Sequence, residues 1–131
     1  MAFNTLNEKA DFHSRQVIGA AMDVHRILGP GLLESAYEEC LCRELSLRSI
    51  PYIRQVVLPL EYKGIHIDCA YRIDILVDDC LILEIKATTR IKPVHEAQLL
   101  TYLRLKRVWL GLLINFNVPV LKDGLRRLVN G

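Results

Sequence analysis

The feature that most constrains the fold is a pair of apolar segments, YRIDILV and LILEIK, joined by a short acidic turn within residues 71–86. Apolar residues at alternate positions on both sides of a turn predict a β-hairpin. Only one register matches the two aliphatic faces, because a slip of one residue would turn one face outward. This register leaves residues 78–80 as the connection and predicts the pairs Val77–Leu81, Ile75–Leu83 and Ile73–Ile85. The residues of the first strand that it places on one face are Tyr71, Ile73, Ile75 and Val77.

The same register places two carboxylates opposite each other, Asp74 on the first strand and Glu84 on the second. Directly opposed side chains are about 5 Å apart, and like charges at that separation repel. A divalent cation between them would remove the repulsion, since carboxylate oxygens suit Mg²⁺ or Mn²⁺. Lys86 lies two residues beyond Glu84 on the same face, where its charge can neutralise developing negative charge or orient a water molecule.

A solvated polar face is the alternative explanation for these charges. Arg72 is predicted to lie across from Lys86, so the pairs Arg72–Glu84 and Asp74–Lys86 would balance the face without a metal. Leu76 and Ile82 are predicted on that face as well. A mixed apolar and charged face favours a partly buried cleft over open surface.

The rest of the chain predicts helices that accompany these strands. Apolar residues at three- and four-residue steps predict helices over about 11–28 and 32–47, separated by Gly29-Pro30-Gly31. Alternation predicts strands over about 56–62 and from 65 into the hairpin, and Pro93 begins a third helix that ends near Lys106. An apolar strand follows over 109–116, then a turn at 122–124 and a short last strand. The order, roughly ααβββαβ, predicts an α/β fold with a mixed sheet flanked by helices.

Two of these helices carry polar side chains that are able to reach the Asp74–Glu84 pair. Gln98 and Tyr102 share a face of the third helix, and Glu34 and Tyr37 share a face of the second. The alternatives are a solvated first-turn Glu34, a surface amide at Gln98 and core tyrosines. For two histidines on helix faces, His25 and His95, we expect local hydrogen bonds, with a contact to a metal or phosphate as the alternative.

Composition limits the class of protein more than it identifies it. The 131 residues suit one domain with a hydrophobic core. The net charge of +2, from 17 basic and 15 acidic side chains, does not by itself indicate nucleic-acid binding. A hydrophobic content of 51% leaves two possibilities open, a densely packed monomer and an apolar surface covered by a partner subunit. We find no signal peptide or membrane-length apolar run and expect a cytoplasmic protein.

The four cysteines, at positions 40, 42, 69 and 80, do not have the spacing of a zinc site. We expect free thiols in or near the core, with an iron–sulfur or zinc site as the alternative.

Asp74 followed by Glu84-Ile85-Lys86 on the next strand resembles the D…(D/E)xK signature of the PD-(D/E)XK nuclease superfamily. Residues 31–37, GLLESAY, match the GxxExxY motif of one branch of it, the GxxExxY proteins. The similarity extends from about residue 11 to 129 through VHRILGPGLLESAYE, YRIDILV, LILEIKA, HEAQLLTYL, GLLINFNV and LKDGLRR. The proline of the superfamily name is absent, and Ile73 stands in its place.

The resemblance implies a restriction-endonuclease-like αβββαβ core, here a single PD-(D/E)XK nuclease-like domain over residues 1–131. It implies that Asp74 and Glu84 are metal ligands, with the peptide carbonyl of Ile85 as a further ligand. It implies that Lys86 is the catalytic lysine and that Glu34 is an additional ligand or orients water. Gln98 and Tyr102 match a helix motif that flanks the active site in related exonuclease-like branches.

The function that these residues imply is Mg²⁺- or Mn²⁺-dependent hydrolysis of phosphodiester bonds in nucleic acid, with DNA as the expected polymer. A non-catalytic nuclease-fold module for binding or assembly is the alternative. An iron–sulfur nuclease is a third, but the chain has no cysteine after Cys80, where relatives of that type carry theirs. The expected partner is nucleic acid. We also expect a homo-oligomer, most simply a dimer, and no membrane association.

Overall fold

The computed structural model describes residues 3–131, apart from the side chains of residues 68–70. Three helices are present: α1 (Leu6–Leu28), α2 (Glu34–Leu47) and α3 (Pro93–Lys106). Five strands follow the order β1 (Tyr52–Tyr62), β2 (Ile65–Val77), β3 (Leu81–Lys86), β4 (Leu110–Asn115) and β5 (Leu125–Val129), with a short 3₁₀ helix over Leu121–Gly124. None of the helices within this described part is long and apolar enough to cross a membrane.

The strands form one mixed sheet in the order β1-β2-β3-β4-β5. Strands β3 and β4 are parallel, and the other neighbours are antiparallel. A parallel pair needs a long crossover, and α3 supplies it between β3 and β4. The predicted mixed α/β fold is therefore confirmed.

Helices cover both faces of the sheet and define two cores. The helix-pair core joins α1 and α2 to one face, through residues that include Val17, Ala21, Tyr37, Leu41, Ile75, Leu83, Ile85, Ile114 and Phe116. The α3 core joins α3 to the other face through Leu58, Ile73, Leu76, Ile82, Leu99, Tyr102, Leu103, Val108 and Leu113. Strand β3 lies between them, which explains why its aliphatic residues alternate between the two cores.

The first helix begins five residues before the predicted start, because a cap precedes it. The Thr5 hydroxyl accepts a hydrogen bond from the Glu8 N–H at 3.0 Å. The Glu8 carboxylate in turn accepts from the Asn4 N–H at 2.9 Å. A Thr-x-x-Glu sequence is typical of a helix N-terminus, so this boundary was predictable.

The closed end of the β2–β3 hairpin has the predicted connection and register. The Cα partners there are Val77–Leu81, Leu76–Ile82 and Ile75–Leu83. Asp78 and Asp79 adopt left-handed φ angles of 45° and 56°, and the Cys80 N–H donates to the Val77 carbonyl at 3.0 Å. The turn therefore spans residues 78–80, as the match of aliphatic faces predicted.

The predicted pair Ile73–Ile85 is wrong, because the β2–β3 ladder ends at Ile75–Leu83. The predicted single face is wrong as well, since Ile73 lies in the α3 core and Ile75 in the helix-pair core. In β1, Gln55 lies between the partners of these two residues and has a φ of 52°. The change of face therefore coincides with this irregular backbone conformation in β1 and with the end of the β2–β3 ladder.

The loop between α1 and α2 is held by one buried tyrosine. The Tyr37 hydroxyl donates to the Gly29 carbonyl at 2.6 Å and accepts from the Leu32 N–H at 3.1 Å. Its ring stacks on Phe116 with centroids 4.6 Å apart. Gly31 has a φ of 101°, a backbone conformation that residues other than glycine rarely adopt. Tyr37 is therefore a core residue that fixes the approach to α2.

The cysteines that the structure describes are free thiols. Cys42 and Cys80 are buried and Cys40 is half-buried, all at the helix-pair core. The side chain of Cys69 lies outside the described residues.

Replacing Tyr37 by phenylalanine should lower the free energy of unfolding by about 1–2 kcal/mol, because two backbone groups of the loop lose their partner. Urea denaturation followed by Trp fluorescence measures this loss. The matched control is Tyr52→Phe, which removes an exposed hydrogen bond to Ser46 and should cost much less. Equal losses in the two variants would contradict the role assigned to Tyr37.

Candidate active site

The Asp74 and Glu84 side chains meet where β2 and β3 separate. The Glu84 carboxylate accepts a hydrogen bond from the Asp74 N–H through Oε2 at 2.8 Å. The Asp74 carboxylate accepts from the Ile85 N–H through Oδ2, also at 2.8 Å. Each side chain thus replaces a backbone acceptor of the opposite strand. This reciprocal arrangement, the carboxylate–amide clamp, ends the ladder at the site.

Burial makes negative charge costly in the clamp. Glu84 is 4% exposed, and this burial, with the neighbouring charge of Asp74, raises the pKa of Glu84 to about 8. Burial also raises the pKa of Asp74, and the hydrogen bond from Ile85 partly opposes that rise. Two carboxylates with raised pKa values in one site favour the binding of a cation.

Lys86 contributes a positive charge close enough to this pair to affect both carboxylates. It ends β3, is half-buried, and lowers the pKa of both Asp74 and Glu84. Its backbone carbonyl accepts from the Phe116 N–H at 3.0 Å, and its partner in the parallel register is Asn115. The lysine therefore lies at the carboxyl end of the parallel strand pair, beside the clamp.

Asn115, which the sequence analysis missed, supports the segment that follows Lys86. Its amide is buried, with 1% exposure, and it donates to the Thr88 carbonyl at 3.0 Å and accepts from the Thr88 N–H at 3.1 Å. Asn117 extends the contact by accepting from the Gly31 N–H at 3.1 Å. These amides connect the chain after β3 to the loop before α2. The sequence signal for this role was an asparagine within an otherwise apolar strand.

Helix α3 brings Tyr102 close to the clamp. Burial raises the pKa of Tyr102 to about 12, and the charges of Glu84 and Asp74 add to the rise. Gln98 lies one turn earlier and is half-buried, where it lines a pocket with Tyr71. The structure therefore places Tyr102 beside the carboxylates and Gln98 at a neighbouring pocket.

Helix α2 does not bring Glu34 into direct contact with the clamp. Glu34 is exposed in the first turn of α2, and its charge has the smallest influence on the pKa of Asp74 among the groups that affect it. Within residues 3–131, with the side chains of residues 68–70 excepted, no three His, Cys, Asp or Glu side chains are grouped closely enough to hold a metal. The role of Glu34 as a third ligand stays a prediction.

Glu38, one turn after Glu34, is the acidic residue that the sequence analysis missed. It is buried and accepts hydrogen bonds from Arg54 at 2.8 and 3.0 Å and from Gln55 at 3.1 and 3.2 Å. Its charge raises the pKa of both Asp74 and Glu84. The four-residue spacing from Glu34 was a signal, but its pairing with β1 required the fold.

The remaining predicted residues have simpler positions. Ile85 pairs with Ile114 of β4 and donates its N–H to Asp74, so its backbone lies at the clamp. His95 accepts from the Lys92 N–H at 3.0 Å and caps α3, as expected for a local hydrogen bond. His25 bonds instead to the Val118 carbonyl at 2.7 Å, far along the chain, so the expected local bond is wrong there.

The donor set of the clamp fits a divalent cation. Each carboxylate uses one oxygen for a backbone amide, and Oδ1 of Asp74 and Oε1 of Glu84 have no hydrogen bond to the residues that the structure describes. Magnesium sites in nucleic-acid enzymes commonly use one or two carboxylates and complete the shell with water and substrate phosphate. The residues present meet that requirement.

Comparison with known proteins agrees with this geometry. The sequence model of the PD-(D/E)XK nuclease superfamily matches residues 11–128, and the chain therefore belongs to this superfamily. Its members generally use divalent metals. No curated protein and no solved structure matches the chain significantly.

In buffer that contains a chelator, the free energy of unfolding should fall as pH rises from about 4.3 to the Glu84 pKa of about 8. The sign follows because the folded state binds the Glu84 proton more tightly than the unfolded chain does, so raising pH favours unfolding. Glu84→Gln keeps an acceptor for the Asp74 N–H without the charge. Its stability relative to wild type should therefore increase with pH across this window, as measured by urea denaturation.

Glu61→Gln, at an exposed position of β1, is the control and should show no such trend. A stability difference between Glu84→Gln and wild type that stays constant from pH 5 to 8 would contradict this assignment.

Proposed function

We propose that this superfamily member is a divalent-metal-dependent nuclease that hydrolyses phosphodiester bonds, with DNA as the polymer. The superfamily supports a nuclease-type function, and the metal and the substrate are the proposal. The observation that carries it is the carboxylate–amide clamp with Lys86 beside it. A buried and a half-buried carboxylate side by side, next to one lysine, suit phosphoryl chemistry better than they suit a structural core.

The proposed roles follow from these positions. Asp74 and Glu84 would hold Mg²⁺ or Mn²⁺ through the oxygens that the backbone amides leave available, and the Ile85 carbonyl would be a further ligand. A bound divalent cation polarises the phosphate and lowers the pKa of a coordinated water. Lys86 stabilises the negative charge that develops on the phosphate oxygens. Tyr102 borders the site from α3, and it would contact the phosphate or the water around the cation.

The GxxExxY assignment is part of this proposal. In this chain the glycine of the motif, Gly31, has a positive φ, and its tyrosine, Tyr37, holds the loop through two hydrogen bonds. Both residues determine where α2 begins. Glu34 then lies exposed in the first turn, and we propose that it orients water or joins the ligand set once substrate is bound.

The predicted homodimer and cytoplasmic location stay predictions. A pocket of about 280 Å³ on α1 and α2 is lined mainly by Val24, Ile27, Leu28 and Cys40 together with charged residues. Ile27 in this lining is strongly exposed, and so is Leu33 at the start of α2. These exposed apolar side chains favour the prediction that a partner subunit packs on the outer face of the helix pair.

Lys86→Ala should reduce cleavage by about 100-fold or more, as expected for removal of a group that stabilises transition-state charge. The assay is cleavage of end-labelled single-stranded, duplex and branched DNA in Mg²⁺ and in Mn²⁺. Binding of Mn²⁺ should persist in the variant, because the ligands remain. Lys122→Ala, at an exposed position of the 3₁₀ helix, is the control.

Unchanged cleavage in Lys86→Ala would refute the role of the lysine. Nucleic-acid binding without cleavage in any metal would favour the non-catalytic binding module instead.

A further inference from the structure

We propose that the pocket between α3 and the β1–β2 hairpin binds an unpaired nucleobase of the substrate strand. The protein would then act on single-stranded segments or frayed ends rather than on intact duplex. This inference deepens the proposed function and rests on it for the location of the scissile phosphate.

The pocket has the size and lining of a site for a flat aromatic group. It encloses about 230 Å³ and is lined by Leu60, Tyr71, Gln98, Thr101 and Leu105. Tyr71 is 41% exposed, so part of its side chain is available to a ligand. A tyrosine and two leucines in one lining offer stacking and apolar contact, and every nucleobase has a π-face that can use them.

One side chain supplies a directional polar group. The Thr101 hydroxyl is already engaged, since it donates to the Ala97 carbonyl at 3.0 Å and accepts from Arg104 at 3.4 Å. The Gln98 amide has no hydrogen bond to any residue that the structure describes. An amide carries both donors and an acceptor, which is the set that pairs with the edge of a base.

The distance between the pocket and the clamp suits the spacing between a phosphate and a neighbouring base of the same strand. Tyr71 precedes Asp74 by three residues on β2, a separation of about 10 Å along a strand. Gln98 precedes Tyr102 by one helical turn on the same face of α3, and Tyr102 is close enough to sense the charges of Asp74, Glu84 and Tyr71. A strand whose phosphate lies at the clamp can therefore place a neighbouring base in the pocket.

The surroundings favour an unpaired base over a duplex. Stacking on Tyr71 requires a free base face, and a base inside a duplex has both faces covered by its neighbours. Arg104, which contacts Thr101 at the pocket, offers a cation for a flanking phosphate. The β2–β3 ladder ends at Ile75, so β3 does not pair with the part of β2 that carries Tyr71.

The test measures binding without catalysis. Fluorescence anisotropy follows the titration of protein, in EDTA, into three labelled DNA probes. They are a single-stranded oligonucleotide, its blunt duplex and the same single strand with abasic positions. We expect wild type to bind the single strand more tightly than the duplex. Tyr71→Ala should weaken single-strand binding by roughly tenfold, Tyr71→Trp should restore it, and abasic positions should mimic the alanine variant.

Tyr62→Ala is the matched control, since Tyr62 is 58% exposed on the same hairpin and does not line the pocket. Gln98→Leu tests the polar contact independently and should weaken single-strand binding even if Tyr71→Ala folds poorly. Equal affinity for intact and abasic strands, or equal losses in Tyr71→Ala and Tyr62→Ala, would overturn the inference.

The outcomes separate this inference from the proposed function. If Mg²⁺ or Mn²⁺ supports cleavage while Tyr71→Ala and Gln98→Leu bind and cut as wild type does, the pocket inference fails and the nuclease stands. If the pocket variants lose single-strand binding while no metal supports cleavage, the base pocket stands and the nuclease proposal fails.

Discussion

The arrangement of the site depends on one interaction, the reciprocal hydrogen bonds between two carboxylates and two backbone amides of adjacent strands. Because the side chains of Asp74 and Glu84 occupy amides that a ladder would otherwise use, β2 and β3 separate at this point. The separation lets Ile73 pack against α3 while Ile75 packs against α1 and α2. A polar interaction thus determines where the two strands separate, at the residues for which chemistry is proposed.

Two further contacts keep the surroundings of the clamp in place. Asn115 holds the chain that follows Lys86, and Tyr37 holds the loop that precedes Glu34. Both residues are buried and neither reaches the carboxylates, so they act by positioning backbone. The charged groups are therefore placed by rigid neighbours, which is what a preorganised electrostatic site requires.

Sequence reasoning was most successful where local pattern decides structure. The turn at residues 78–80 and the first pairs of the hairpin followed from aliphatic alternation. The separation of the strands did not, because alternation assumes that backbone bonds to backbone, and here side chains compete for the amides. Likewise, the partners of Glu38 and the pocket at Gln98 depend on β1, which the chain brings to α2 and α3 only in the folded state. The cap at Thr5 was readable and was overlooked.

The central claim is that the clamp is a divalent-cation site, and titration of the purified protein with Mn²⁺ by calorimetry tests it most directly. Wild type should bind Mn²⁺ with release of protons, because the pKa of Glu84 is raised to about 8 in the metal-free state. Asp74→Asn and Glu84→Gln preserve shape and should abolish the binding. Wild-type protein that binds no Mn²⁺ even with a phosphorothioate oligonucleotide present, or variants that bind it as well as wild type does, would contradict the account.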